Sequence, residues 1–229
     1  MLSHKMAARM FGIFFIIAFL SYGIGGAIVD SIVTVPDFLT NVSNSRMLIV
    51  LGVSLMALVH SFVNIGLPVI MLPILKPFND RLAYGFLSLA IAATTVLIVG
   101  TIFVLLLLPL SDAYINAGSA AVSSFETMGT LLVNGNSLSY HMGMALWAIG
   151  GLMFVSVLYI SKLIPRPMSV WGMIGYTTLL VGSILLLSGP NGAIEVASVA
   201  PGGLFEITLS IWLIVKGFNS SAIASLSAK

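Results

Sequence analysis

The sequence predicts an all-α integral membrane protein, a bundle of six transmembrane helices with both termini in the cytoplasm. Of its 229 residues, 59% are hydrophobic and only 7% are charged, whereas a soluble domain carries about 25% charged residues. The mean hydropathy of +1.15 exceeds what one buried core can supply, because a soluble protein of this size needs a solvated exterior. We therefore expect residues 1–229 to form a single transmembrane domain.

Six apolar runs are long enough for helices that cross a hydrocarbon core about 30 Å thick. The second and third runs exceed that thickness, so we expect them to tilt or kink, and Pro68 and Pro73 give the second run a place to do so. Charged residues, prolines and glycines bound the runs, and the predicted spans are about 7–29, 47–75, 82–110, 138–162, 169–187 and 202–215.

The connection between the third and fourth spans, residues 111–137, is the longest segment outside the predicted spans. Its apolar residues Ala121, Phe125, Met128 and Leu132 are spaced so that they share one helix face. This pattern predicts a short amphipathic helix on the outer side of the membrane, and Asn134–Asn136 is predicted to turn the chain into the fourth span.

Cationic residues predict the orientation of the chain. Arg46 alone falls on one side of the predicted membrane, and the other eight cations fall on the opposite side. Since Lys and Arg are enriched in cytoplasmic loops, we expect the N and C termini to lie in the cytoplasm. The eight are Lys5, Arg9, Lys76, Arg81, Lys162, Arg166, Lys216 and Lys229.

The composition excludes several classes of site. The chain has no cysteine, which excludes disulfides, thiolate zinc sites and iron–sulfur clusters. Three histidines leave little for a metal centre, so we expect neither a metal nor another cofactor. The cations are scattered rather than clustered, so the sequence does not predict a nucleic-acid partner.

Paired glycines within the predicted spans have a structural interpretation. They favour close approach of helices over phosphate binding. The set is Gly23, Gly25 and Gly26, Gly150 and Gly151, and Gly172 with Gly175.

Glu206 is the only acidic residue that falls within a predicted span. An ionisable group in hydrocarbon costs about 2.5–3.5 kcal/mol on insertion scales, which makes it a candidate functional residue. Ser210 follows one turn later on the same helix face. His141 is predicted to lie at the same depth as Glu206 and could form a hydrogen bond with it. The alternative is that Glu206 bonds hydroxyl or backbone groups and only packs helices.

His60 and Asn64 form a second polar pair, one turn apart in the second span. The sequence favours hydrogen bonds from both residues to a neighbouring helix, for example to Thr94 and Thr95 of the third span. The functional alternative makes the pair the polar floor of a cavity whose mouth contains His141 and Glu206.

Four short stretches resemble a family of small prokaryotic polytopic membrane proteins known as domain of unknown function 4386. They are Ala7–Gly12, Leu75–Asn79, Leu158–Ser161 with Pro165 and Arg166, and Phe205–Glu206 through Trp212–Gly217. The resemblance implies a six-helix protein of the cytoplasmic (inner) membrane of a prokaryote. Family members often have Asp in the second helix where this chain has Asn64.

Three functions remain open at this point. The sequence favours a non-catalytic scaffold or accessory subunit of a membrane complex, since it predicts short loops and few intramembrane charges. Its partners would be the lipid bilayer and other membrane subunits or further copies of the chain. The first alternative is a binder or transporter of an apolar or amphipathic, lipid-like small molecule. The second is an enzyme acting on a lipid or isoprenoid, with Glu206 as general acid or base and His141 as its partner.

Overall fold

Helices account for most of the chain in the computed structural model, which describes residues 3–117 and 122–224. No strand occurs among these residues, which confirms the all-α prediction. Ala121 and Lys229, used above, lie outside the described residues. The helices are α1 (His4–Val33), α2 (Phe38–Asn44), α3 (Arg46–Ser54), α4 (His60–Leu75), α5 (Asp80–Asn116), α6 (Val122–Ser161), α7 (Arg166–Leu186), α8 (Gly192–Val215) and α9 (Ser220–Ala224).

Six helical segments are long and apolar enough to cross a membrane, which confirms the predicted number of spans among the described residues. The second segment comprises α3, a π-helical turn at Leu55–Val59 and α4 in continuous succession. The six segments are His4–Val33, Arg46–Leu75, Asp80–Asn116, Val122–Ser161, Arg166–Leu186 and Gly192–Val215.

The last span begins earlier than predicted. The predicted span begins at about residue 202, just after Pro201, but α8 begins at Gly192 and Pro201 lies inside the helix. Asn191 caps this earlier start, because its side chain accepts a hydrogen bond of 3.2 Å from the Ile194 amide. A proline within a membrane helix is tolerated when neighbouring helices support the backbone around it, and Trp171 Nε1 donates to the Pro201 carbonyl at 3.1 Å.

The predicted amphipathic helix is not a separate element. Helix α6 continues without interruption from Val122 into the fourth span, so the turn predicted at Asn134–Asn136 is wrong. Two residues predicted to share its apolar face differ in burial. Phe125, at the start of α6, lies edge-on to Tyr114 with ring centroids 6.4 Å apart, whereas Met128 is 53% exposed. The short helix α2, which precedes the second span, was not predicted.

The chain divides into two compact units, each assembled from separate stretches of sequence. Unit 1 contains Met1–Ile17, Val63–Thr94 and His141–Lys229, and unit 2 contains Ala18–Phe62 and Thr95–Tyr140. The core of unit 1 is rich in aromatic side chains, whereas that of unit 2 is mainly aliphatic. The buried aromatics of unit 1 are Phe11, Phe15, Phe86, Trp147, Phe154, Tyr176 and Phe205. The single transmembrane domain stays a prediction.

Within unit 2, the second span contacts α1 on both sides of the π-helical turn. Before the turn, a Cβ added to Gly25 would lie only 2.6 Å from the Gly52 carbonyl oxygen, so the two helix backbones are in close contact. After the turn, His60 Nδ1 lies 3.1 Å from the Ala18 carbonyl oxygen. A π-helical turn accommodates one residue more than an α-helical turn, and here it keeps both residues directed toward the same neighbour.

Candidate functional site

The Glu206 carboxyl group is the centre of a buried hydrogen-bond network in unit 1. Its side chain lies on α8, and the residue is only 7% exposed. Tyr176 of α7 donates its hydroxyl proton to Oε1 at 2.7 Å. Trp147 of α6 donates Nε1–H to the same oxygen at 3.1 Å. One carboxyl oxygen therefore joins three membrane-spanning helices, and we call Glu206, Tyr176 and Trp147 the carboxyl triad.

Small residues allow the triad to form. A Cβ on Gly151 of α6 would lie 2.5 Å from the Tyr176 ring, so only glycine leaves room for the ring against the α6 backbone. Helices α7 and α8 also meet at their backbones, because a Cβ on Gly175 would lie 2.7 Å from Gly202 Cα. Such close approach through small residues is typical of membrane helix interfaces, and it brings Tyr176 within reach of Glu206. The predicted role of Gly151 and Gly175 in helix approach is confirmed. For Gly23 and Gly26 it is wrong, because a Cβ at either position would meet nothing within 4 Å.

Aromatic rings surround the triad. Trp147 lies 6.2 Å from Phe15 and 6.1 Å from Phe86, measured between ring centroids. Tyr176 meets Phe205 edge-on at 5.9 Å. These rings give the carboxyl group apolar surroundings, in which a polar atom without a hydrogen-bond partner would be costly. The Tyr176 and Trp147 donors meet that need at Oε1.

Ser210 lies one turn beyond Glu206 and is 1% exposed. Its hydroxyl group donates to the Glu206 backbone carbonyl at 2.7 Å, not to the carboxyl group. A Cβ on Gly12 would lie 2.6 Å from the Ser210 carbonyl oxygen, so α1 passes close to α8 here. Ser210 therefore belongs to a helix contact, and its hydroxyl group is used within its own helix.

The structure does not pair His141 with Glu206. Among the described residues, the hydrogen bonds to the Glu206 carboxyl group come from Trp147 and Tyr176. The predicted depths assumed that the two helices begin at about residues 138 and 202, whereas α6 begins at Val122 and α8 at Gly192. Equal depth also does not determine which side chains face each other. Trp147, about 9 Å further along α6 than His141, reaches the carboxyl group instead.

His60 and Asn64 bond to two different helices. The Asn64 amide, 4% exposed, donates to Thr94 Oγ1 of α5 at 2.9 Å, and Thr94 donates to the Ala90 carbonyl at 2.7 Å. This is the interhelical bond to the third span that the sequence predicts for Asn64. His60 instead lies against α1, through the Ala18 carbonyl and through an edge-on contact with Tyr22 at 4.9 Å. For His60, the predicted bond to a neighbouring helix is confirmed, but that helix is α1 and not the third span.

Tyr176 and Trp147 are not among the residues that the sequence pairs with Glu206, and a signal in the sequence could have found Tyr176. It lies in the middle of the fifth span, away from the interfaces where tyrosine is enriched in membrane proteins. A buried tyrosine hydroxyl usually has a hydrogen-bond partner. A mid-span tyrosine is therefore a signal for a polar residue on a neighbouring helix, and Glu206 is that residue.

The triad can connect helices, and it offers one carboxyl group for other chemistry. Within residues 3–117 and 122–224, no three His, Asp or Glu side chains are grouped so that they could hold a metal ion. In the triad, the tyrosine and tryptophan act as donors and the carboxyl oxygen as acceptor. This arrangement fixes the relative positions of α6, α7 and α8.

Comparison with known proteins identifies the family. The model of a family described as a domain of unknown function, DUF4386, matches residues 10–217. No curated protein and no solved structure matches the chain. The matched residues include all three members of the carboxyl triad, and they extend from α1 to the residues just after α8. The chain therefore belongs to the DUF4386 family.

Proposed function

We propose that this protein is a non-catalytic component of a membrane, acting as a scaffold or an accessory subunit of a membrane complex. The observation that carries the proposal is the engagement of the Glu206 carboxyl group by Tyr176 and Trp147. A catalytic or ligand-binding carboxyl group needs access to its substrate. Glu206 is instead buried among aromatic rings and holds three helices together.

The other polar candidates support the same role. The amide group of Asn64 is bonded to Thr94, the imidazole of His60 to the Ala18 carbonyl, and the hydroxyl group of Ser210 to the Glu206 carbonyl. Each of these groups already connects parts of the protein, as polar residues commonly do between membrane helices. Hydrogen bonding of this kind builds a stable frame and leaves these groups engaged within the protein.

Many large apolar side chains of the spans point away from the cores and are available for lipid or for another subunit. Phe62 is 74% exposed, Leu58 70% and Val215 71%. We propose that part of this surface contacts other membrane subunits or further copies of the chain. We further propose the cytoplasmic membrane of a prokaryote as its location, with both termini inside, as the distribution of lysine and arginine indicates.

Native mass spectrometry of the protein purified from its own membrane in mild detergent tests this function. We expect a reproducible assembly that resolves into different polypeptides or into several copies of the chain. The Glu206→Gln variant should retain the same assembly, because the glutamine carbonyl can still accept both hydrogen bonds.

A single chain that carries one discrete small molecule, lost in Glu206→Gln while the fold survives, would contradict the scaffold proposal. That result would favour the binding or transport alternative. Conversion of such a molecule by the wild type, but not by Glu206→Gln, would favour the enzyme. A phospholipid that both proteins retain equally would leave the scaffold proposal intact, since its binding would be independent of Glu206.

A further inference from the structure

A cavity of about 520 Å³ lies in unit 1, where the connection between α6 and α7 meets the segment after α8. Its volume falls within the range of about 300–1,000 Å³ that is typical of small-molecule sites. The backbone N–H of Asn219 donates to the Leu163 backbone carbonyl at 2.9 Å, which joins the segment after α8 to the α6–α7 connection. The lining residues are Lys162–Arg166, Trp212 and Lys216–Ser220.

The charged residues that line the cavity are all cations. Lys162, Arg166 and Lys216 contribute three positive charges, and the lining contains no Asp or Glu. Among the described residues, none of these three cations forms an ion pair. The salt bridge of the described residues joins Arg46 to Asp112, which do not line the cavity. The cavity therefore has a positive potential, and no carboxylate of the described residues pairs with its three cations.

Aromatic rings hold two of these cations. The Lys216 ammonium group lies 4.3 Å from the centre of the Trp212 ring, and the Arg166 guanidinium group lies 5.2 Å from that of Tyr159. A cation–π contact restricts the side chain but leaves the positive charge available to an anion. Guanidinium and ammonium groups together provide the donors that bind phosphate oxygens.

The lining of the cavity also includes apolar side chains. Leu163, Ile164, Trp212 and Phe218 line it together with the cations, and Trp212 and Phe218 pack against the core of unit 1. The cavity also lies at the ends of membrane-spanning helices, since α6 ends at Ser161, α7 begins at Arg166 and α8 ends at Val215. An amphiphile with a negative headgroup matches this combination better than a fully hydrophilic anion.

We propose that this cavity binds the phosphate group of an anionic phospholipid, with Lys162, Arg166 and Lys216 as its ligands. Basic pockets between membrane helices are suited to such headgroups, because juxtamembrane cations gain from anionic lipid. The site is separate from the carboxyl triad and does not depend on the scaffold function.

Lipid retention by the full-length protein tests the site. The protein is incubated in mild detergent with phosphatidylglycerol or with phosphatidylcholine of the same acyl chains, and bound lipid is counted by native mass spectrometry. We expect the wild type to retain phosphatidylglycerol preferentially. The triple variant Lys162→Asn, Arg166→Gln, Lys216→Gln should lose that preference, by about fivefold for each cation removed. Asparagine is chosen for Lys162, whose φ of 57° is a conformation that asparagine tolerates.

A matched control removes three cations that do not line the cavity. The variant Lys5→Gln, Lys76→Gln, Arg81→Gln has the same net charge as the triple variant, and it should retain the lipid as the wild type does. Equal loss in both variants, or retention in both, would overturn the proposal. Thermal unfolding of each variant shows whether it is folded. If the triple variant does not fold, Lys216→Gln alone serves, with an expected loss of about fivefold.

Inorganic phosphate distinguishes a lipid from a soluble ligand. Millimolar phosphate without lipid should leave the thermal unfolding temperature of the wild type unchanged. A stabilisation by phosphate that is absent from the triple variant would overturn the lipid assignment and identify a soluble phosphate compound as the ligand.

Discussion

The two units each contain a polar contact between distant helices, and the two contacts differ in burial. In unit 1, Glu206 accepts hydrogen bonds from Tyr176 and Trp147 within an aromatic core. In unit 2, Arg46 forms a salt bridge of 2.7 Å with Asp112, and these side chains are 47% and 50% exposed. Although the salt bridge involves two full charges, water screens it, whereas an unpaired donor in the triad would find no solvent. Burial should therefore outweigh formal charge in stabilising this protein.

The largest effect is expected from Glu206→Ala. It leaves the Tyr176 hydroxyl group and the Trp147 N–H group buried without an acceptor, at about 1–3 kcal/mol for each group. We expect the free energy of unfolding in mild detergent to fall by about 2–6 kcal/mol, whereas Glu206→Gln should change it by less than about 1 kcal/mol. Unfolding titrations of both variants measure the difference. Equal stability of the two variants would show that the triad does not stabilise unit 1.

Gly151→Ala should have the next largest effect. The added Cβ would lie 2.5 Å from the Tyr176 ring, which forces the ring away from Glu206 at a cost of about 1–3 kcal/mol. Gly23→Ala is the control, because nothing lies within 4 Å of a Cβ at that position. Thermal unfolding should separate the two variants. If Gly151→Ala matched Gly23→Ala, the close fit of Tyr176 against α6 would be refuted.

Asn64→Leu should have a smaller effect, of about 0.6 kcal/mol, which is the mean for hydrogen bonds between membrane helices. Thr94 loses a donor but keeps its own hydrogen bond to the Ala90 carbonyl, so no buried hydroxyl group is left without a partner. The same unfolding titration measures this change. A loss as large as that of Glu206→Ala would mean that Asn64 supports more than the bond to Thr94.

The smallest effect is expected at the salt bridge of unit 2. A double-mutant cycle with Arg46→Gln and Asp112→Asn should give a coupling energy of about 0.2–1 kcal/mol, and the coupling should decrease as salt is added. If the Arg46–Asp112 coupling energy did not change with salt and exceeded that of the Tyr176–Glu206 pair, formal charge would outweigh burial in this protein. The corresponding cycle for that pair uses Tyr176→Phe and Glu206→Ala.

The spans could be predicted from the sequence because hydropathy and bilayer thickness suffice to locate them. Their ends could not be predicted as well. Pro201 and Asn134–Asn136 looked like boundaries, yet both lie inside helices, because contacts with other helices override local turn preferences. The actual start of α8 depends on the Asn191 cap, and an Asn before an apolar run is a signal that sequence analysis can use.

The candidate site was predictable only in part. Glu206 was found because a lone carboxyl group within a span is conspicuous, and Asn64 was correctly assigned to Thr94. The partners of Glu206 were not predicted. The depth of a residue along its helix does not say which way the side chain points around the helix axis, nor which helices are neighbours. Gly151 was the residue that could have indicated one partner, since its lack of a side chain leaves room for the Tyr176 ring beside α6.

The π-helical turn at Leu55–Val59 also predicts where relatives of this chain can differ in length by one residue. Such a turn lets a helix absorb one extra residue while the segments on either side keep their neighbours. Because each residue of an α-helix rotates the chain by about 100°, a relative with one residue fewer between Gly52 and His60 would still direct both positions toward α1. A single-residue gap at this point of an alignment should therefore be evolutionarily neutral for the fold, whereas a gap elsewhere in the second span should not be.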